Sequence, residues 1–294
     1  MRDILYGKIR EEVLQMVLNR EYVFSRLPRR APESHKGNYG KLLAVCGSPR
    51  YRGAAVLSTL GALRTGVGLY TLAAPECVIP AVAAHAAEAM YLPLPDAGLP
   101  QEMAKQTACL IGCGLPDSED TARIVRDGLT HAKALVLDAG ALSALSHDPV
   151  LLEHASCPVV LTPHPGEMSR LCGEETSQIT AHPAETALAF ARRTGAVVVL
   201  KGHRTVIASA DGVLYENRTG NAGLARGGSG DLLAGMIASL LAQGLAPADA
   251  AACGVWLHGS AADRCAGRLS MQGMLPQDIL SDLCAIFLEN ESRM

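Results

Sequence analysis

Aromatic residues are scarce in this chain, at 4% of 294 residues. That argues against a stacking platform for single-stranded nucleic acid. Runs of lysine and arginine are also missing, and the formal net charge is −3. Without a basic stripe, no nucleic-acid partner is expected. The nine cysteines include no C-x-x-C pair and are scattered through apolar segments. An odd, dispersed set reads as reduced thiols and not as a disulfide frame or a zinc site. Long hydrophobic runs are absent too. The stretch 232–241 is about half the length a membrane span needs. Charges at Arg2, Asp3, Lys8, Arg10, Glu11 and Glu12 interrupt any signal-peptide core. The expected protein is cytoplasmic, with no membrane partner.

Three familiar motifs also fail. Gly40-Lys41 runs into Leu42, so there is no Walker A loop. Gly112-Cys113-Gly114 meets Asp117 where a dinucleotide fingerprint needs its third glycine. Gly227-Gly228-Ser229-Gly230 ends in Asp231, so Ser229 is on no G-x-S-x-G elbow.

What is present is a hydrophobic fraction of 49% with 19% charged residues, enough for one large core. Apolar, β-branched runs at 42–46, 67–73, 109–111, 134–137, 159–161 and 197–200 alternate with alanine-rich helical stretches. Continuous apolar strands between helices predict an α/β fold, a doubly wound and mostly parallel sheet covered on both faces. The runs 205–209 and 213–216 flank Ala210-Asp211-Gly212 and predict a hairpin of antiparallel edge strands. The end of the chain reads as helical, from 232–241 and 248–266. Residues 1–34 read as an amphipathic helix over 1–20 and a linker. Residues 35–294 read as the catalytic domain.

Polar, glycine-rich motifs follow several of these strands, and ligands sit at the carboxyl ends of strands in doubly wound sheets. The strongest is Gly227-Gly228-Ser229-Gly230-Asp231, followed by a helix. Glycine amides and the helix N-terminus can hold a phosphoryl group, and Asp231 can accept the proton of an attacking hydroxyl. An isolated Gly-Asp would be a turn with a helix cap; three glycines in four positions favour an anion site. Thr162-Pro163-His164-Pro165-Gly166-Glu167 is a stiff loop after a buried strand. There Glu167 could hold Mg²⁺ through water and His164 a substrate group, or Glu167 could simply cap the next helix. Lys201-Gly202-His203-Arg204-Thr205 puts a lysine at a strand end, either solvated or facing a nucleotide phosphate. His35-Lys36-Gly37-Asn38-Tyr39-Gly40-Lys41, with Gly47-Ser48 and Gly53-Ala54, offers either close ligand approach or tight strand–helix packing.

Together, from His35 to Asp278, these motifs resemble the ADP-dependent NAD(P)H-hydrate dehydratases, carbohydrate-kinase-like members of the ribokinase-like superfamily. The resemblance implies a phosphoryl transfer from ADP (or ATP), with Mg²⁺, to the ring hydroxyl of the (S)-hydrate of NADH or NADPH. Phosphate elimination then restores the cofactor, leaving AMP and phosphate. It implies Asp231 as catalytic base beside the substrate. It places Ala54, Gly114 and His164 on the hydrated cofactor, and Lys201, Gly202, His203, Arg204, Thr205 and Gly230 on the adenine nucleotide. Gly227, Gly228, Ser229 and Gly230 would form the anion hole. It also implies a homotetramer, and an NAD(P)H-hydrate epimerase as a separate pathway partner. Cys113 stands where the family often has proline, and Gly140 where it often has aspartate. Two competing readings remain at this point, a small-molecule kinase for a vitamin precursor or sugar and a non-catalytic nucleotide sensor.

Overall fold

The computed structural model describes residues 15–292. One ten-stranded sheet runs through them in the order β1-β10-β9-β8-β7-β6-β5-β2-β3-β4. Its strands are β1 (Gln15–Val17), β2 (Lys41–Val45), β3 (Leu69–Pro75), β4 (Met90–Leu94) and β5 (Ala108–Ile111). They continue with β6 (Leu135–Leu137), β7 (Val159–Leu161), β8 (Val197–Leu200), β9 (Thr205–Ala208) and β10 (Leu214–Asn217). From β4 to β8 every pairing is parallel. Only β9 runs against its neighbours. The expected doubly wound, mostly parallel sheet is therefore what forms.

The central strands read as continuous apolar runs because both faces are covered. Leu42, Ala44, Leu110 and Val136 face one buried cluster, which includes the helices Arg52–Arg64, Ser229–Ala242 and Pro247–Gly273. Leu43, Val45, Ile111 and Leu137 face the other, with the helices Glu119–His131 and Pro183–Thr194. With few aromatics, the first layer is closed by backbone contact. A Cβ at Gly235 would lie 2.1 Å from the Ser58 carbonyl oxygen, and one at Gly61 2.4 Å from that of Leu232. The helix that follows the glycine loop is thus locked against its neighbour at two glycines.

The N-terminal segment departs from expectation. Residues 1–14 of the expected helix lie outside the described residues, but residues 15–17 form strand β1, parallel to β10. Among the described residues the first helix begins at Arg20, capped by Asn19. Helical spacing of Met16 and Val17 yields to the free backbone groups of β10, which this strand satisfies. The hairpin β9–β10 consequently forms as expected but does not supply the sheet edge. The helix Ile279–Glu291 and the strand β4 were not among the expected elements. No helix among the described residues is long and apolar enough to cross a membrane. All nine cysteines are free thiols.

Candidate active site

The chain reverses its direction of travel across the sheet between β2 and β5, and the carboxyl ends of the central strands open there. Gly47 follows β2 and donates its amide to the Cys113 carbonyl at 2.7 Å, joining the two loops at the switch point. Asp138 follows β6, Thr162 follows β7 and Lys201 follows β8. A cleft of about 740 Å³ opens beside them. Asp138, His164, Lys201, Arg226, Asp231 and His258 are among its lining residues.

One wall is a closed network. Asp138 is buried, and its Oδ1 accepts from Thr162 Oγ1 at 2.7 Å and from Lys201 Nζ at 3.0 Å. The Cys113 thiol lies 3.7 Å from Asp138 Oδ2. Glu167 Oε2 lies 3.8 Å from Lys201 Nζ and accepts the His164 amide at 2.8 Å. His164 Nδ1 in turn accepts from the amides of Gly166 and Glu167, which completes a reciprocal helix cap. Burial alone would lower the pKa of Lys201; the Asp138 and Glu167 carboxylates outweigh it and raise the value. Lys201 is therefore a committed cation.

The opposite wall is the glycine loop. Gly228 has φ +97°, a left-handed conformation that places it as N-cap of the helix Ser229–Ala242. A side chain there would also strike Leu57 at 2.3 Å. A Cβ at Gly230 would sit 3.3 Å from Lys201 Nζ, so the two walls nearly touch at this point. Asp231 lies in the first turn of that helix and lines the cleft. Burial and the nearby Asp138 charge push its carboxyl up to about 6, against the opposing pull of Lys201 and a hydrogen bond from Cys113. Ligand atoms of Cys113, Asp138 and Asp231 lie within 4.8 Å of one another. The Cys113 thiol, held protonated by its contact with Cys46, by burial and by the two carboxylates, separates like charges.

This wall also holds two buried polar atoms with no partner, Ser229 Oγ and His258 Nε2. Both residues line the cleft and are over nine-tenths buried. Burial lowers His258 to about 4, opposed by a hydrogen bond to the Ser229 backbone. Its imidazole is neutral at pH 7. Orphaned buried groups cost stability unless something completes them.

Of the residues singled out in the sequence, Asp231, His164, Lys201, Gly202, His203, Thr205, Gly228, Ser229 and Gly230 line the cleft together. Gly227 sits at the loop's exposed start. Ala54 and Gly114 lie outside the lining and touch each other, since a Cβ on Gly114 would be 2.8 Å from that of Ala54. Arg204 is not brought to the cleft; its guanidinium lies 3.6 Å from Glu216. The His35–Lys41 motif lies at the amino end of β2, away from the cleft. Tight packing explains its glycine, because a Cβ on Gly40 would be 1.9 Å from the Ala242 carbonyl oxygen. Sequence reasoning missed His258, Asn217 and Thr219. A lone histidine in the apolar run 250–262 was a signal for the first.

Comparison with known proteins bears on this arrangement. A family description for NAD(P)H-hydrate dehydratase, of the carbohydrate-kinase type, matches residues 42–284. An ADP-dependent (S)-NAD(P)H-hydrate dehydratase of Bacillus subtilis is 39% identical over 268 residues, 90% of this chain and 94% of its own length. A bifunctional NAD(P)H-hydrate repair enzyme of Moorella thermoacetica is 43% identical over 271 residues, 88% of this chain. The chain spans about half the length of that bifunctional relative, 51%. A crystal structure of the ADP/ATP-dependent NAD(P)H-hydrate dehydratase of Bacillus subtilis, co-crystallised with ATP/Mg²⁺, superposes with a TM-score of 0.84 at 35% identity. That superposition covers 95% of this chain and 99% of the other.

Proposed function

The chain belongs to the NAD(P)H-hydrate dehydratase family, and from that premise we propose that it repairs the (S)-hydrate of NADH or NADPH at the expense of ADP. The observation that carries this reading is Asp231 on the glycine loop, beside two unpartnered polar atoms and opposite a wall with its hydrogen bonds already made.

In this reading the ring hydroxyl of the hydrate lies against Asp231. With its carboxyl at about 6, Asp231 is mostly ionised at neutral pH and basic enough to take the hydroxyl proton. The hydroxyl oxygen bonds to the terminal phosphorus of ADP, and the bond to the AMP oxygen breaks. The amides of Gly228, Gly230 and Asp231 are assigned to the phosphoryl group, with Gly227 at the loop's start and the Ser229 amide held by the Arg226 carbonyl, and the helix N-terminus adds its partial charge. Phosphate then leaves with the carbon–oxygen bonding pair, and loss of a proton from the neighbouring carbon restores the ring double bond. Phosphorylation converts hydroxide, a poor leaving group, into a good one.

Lys201, Gly202, His203, Thr205 and Gly230 are assigned to the AMP part of the donor. Ser229 Oγ and His258 Nε2, both neutral, are each assigned one hydrogen bond to the donor. His164, with Ala54 and Gly114 beyond the cleft, is assigned to the hydrated cofactor. Arg204 lies outside the lining, its guanidinium 3.6 Å from Glu216. The donor chemistry fits Mg²⁺, because Glu167 offers hard carboxylate oxygens. Glu167 is nearly enclosed and spent on a helix cap and Lys201, so it would hold the ion only through water. When bound, Mg²⁺ neutralises phosphate charge.

The test is to incubate the protein with hydrated NADH, Mg²⁺ and either ADP or ATP, and to follow the dihydronicotinamide absorbance. Nucleotide-dependent recovery is expected, and the faster donor names the phosphoryl source. Folded protein that gives no recovery with either nucleotide would move the reading to a small-molecule kinase.

A further inference from the structure

Two full cations line the cleft, Lys201 and Arg226. Lys201 is already neutralised by Asp138 at 3.0 Å and Glu167 at 3.8 Å. Arg226 is exposed, and among the described residues it forms no ion pair. Its guanidinium Nη2 donates to the Gln272 carbonyl oxygen at 2.9 Å. That partner is neutral, and the guanidinium keeps most of its five donors free. Arg226 immediately precedes the glycine loop, and its own carbonyl accepts the Ser229 amide at 3.3 Å. The backbone of Arg226 is thus fixed beside the loop where a phosphoryl group would meet the helix N-terminus.

The charge balance makes this position matter. Asp138 and Asp231 both face the cleft, and Glu167 lies behind Lys201. Against these three carboxylates the wall around β8 supplies one ammonium. A terminal phosphate entering beside Asp231 brings more negative charge to a site that is already net negative. The imidazole of His258 is neutral, and the loop amides supply only partial charges. Among the described residues that line the cleft, Arg226 is the one formal positive charge not already balanced by a carboxylate.

The carbonyl it now holds belongs to an irregular segment. Ser270, two residues before Gln272, has φ +65° and ψ 157° inside the span Pro247–Gly273, and Met271 is an exposed hydrophobic residue. A side chain released from this segment loses a single neutral hydrogen bond.

We propose that Arg226 exchanges the Gln272 carbonyl for the terminal phosphate of the bound nucleotide, and so determines the preference for a diphosphate over a monophosphate. A guanidinium matches a phosphate edge with two parallel hydrogen bonds, which the backbone carbonyl cannot return. The inference rests on the nucleotide-dependent reading of the cleft given above. It adds that product AMP, lacking the terminal phosphate, loses the contact and leaves more readily than ADP binds.

The test is calorimetric titration of ADP, AMP and inorganic pyrophosphate into the wild type, Arg226→Gln and Arg226→Lys, with Mg²⁺ present. Arg226→Gln should weaken ADP and pyrophosphate by roughly 10- to 100-fold and AMP by less than about threefold. Arg226→Lys, which keeps the charge and loses the fork, should fall between. If Arg226→Gln is poorly folded by thermal melting, the comparison within Arg226→Lys decides: a larger loss for ADP than for AMP supports the proposal, and equal losses overturn it. Equal weakening of ADP and AMP in Arg226→Gln, or no weakening, would also overturn it. Binding of pyrophosphate that depends on Arg226, in a protein that restores no hydrated cofactor, would sustain this inference and reject the dehydratase reading.

Discussion

The two walls of the cleft are built on opposite principles. On the β6–β8 side, Asp138, Thr162, Lys201, Glu167 and His164 meet each other's hydrogen-bonding needs within the protein. On the glycine-loop side, Ser229 Oγ and His258 Nε2 are buried with no partner, and Arg226 holds only a backbone carbonyl. The first wall has its hydrogen bonds made without a ligand, which holds Lys201 and His164 in place. The second is incomplete until a ligand arrives. Asp231 stands between them, raised by its burial and by the Asp138 charge and restrained by Lys201 across the gap.

Substitutions on the two sides should therefore fail in different ways. Asp231→Asn should lower turnover of hydrated NADH by about 10²- to 10⁴-fold while leaving nucleotide binding within a few-fold. Retention of full turnover would remove Asp231 from the chemistry. Asp138→Ala should instead damage the first wall, because Lys201 loses its nearest carboxylate. A loss of roughly 3 kcal/mol in urea unfolding is expected, and a loss near zero would mean the wall is not closed as described.

The same Asp231→Asn variant should gain stability at pH 7.5. A carboxyl raised to about 6 in the folded chain, above its ordinary 3.8, is protonated more readily folded than unfolded. Its ionised form thus costs the folded state above pH 6, and that cost fades as pH falls towards 4. The gain should be roughly 1–3 kcal/mol at pH 7.5 and smaller at pH 5. The same ionisation places the acid limb of wild-type turnover near pH 6. A gain that does not vary with pH would assign the effect to packing.

His258→Leu should have the smallest effect. Nucleotide binding should weaken by roughly three- to tenfold, about one hydrogen bond. Because His258 is lowered to about 4, the folded wild type resists its protonation and loses stability as pH falls below 6.5. The leucine variant should lack that particular loss, measured by unfolding at pH 7 and pH 5. Identical pH dependence in the two proteins would place His258 outside this account.

The sequence made one wall more legible than the other. Local signals carried the parallel core: apolar runs at β2 and β5 to β8, and the glycine loop before Asp231. Thr162, Glu167 and Lys201 were visible because each follows a buried strand. Their joining was not, since Lys201 and Asp138 are 63 residues apart in the chain. His258 stood out in the sequence only as a lone histidine in an apolar run; its unpartnered Nε2 is a feature that only packing reveals. Strand β1 was misread because three residues with helical spacing also suit an edge strand, and the edge of β10 settles the choice. Arg204 was expected at the nucleotide and lies outside the lining, 3.6 Å from Glu216, because adjacency to Lys201 says nothing about Glu216 across the hairpin.

Amide hydrogen exchange with and without ADP and Mg²⁺ tests the contrast between the walls most directly. Slower exchange is expected at residues 226–233 and around residues 258–259 on nucleotide addition, with residues 138–142 and 162–168 unchanged. Protection confined to residues 138–142 and 162–168, with the glycine loop unaffected, would contradict the assignment of the incomplete wall to the ligand.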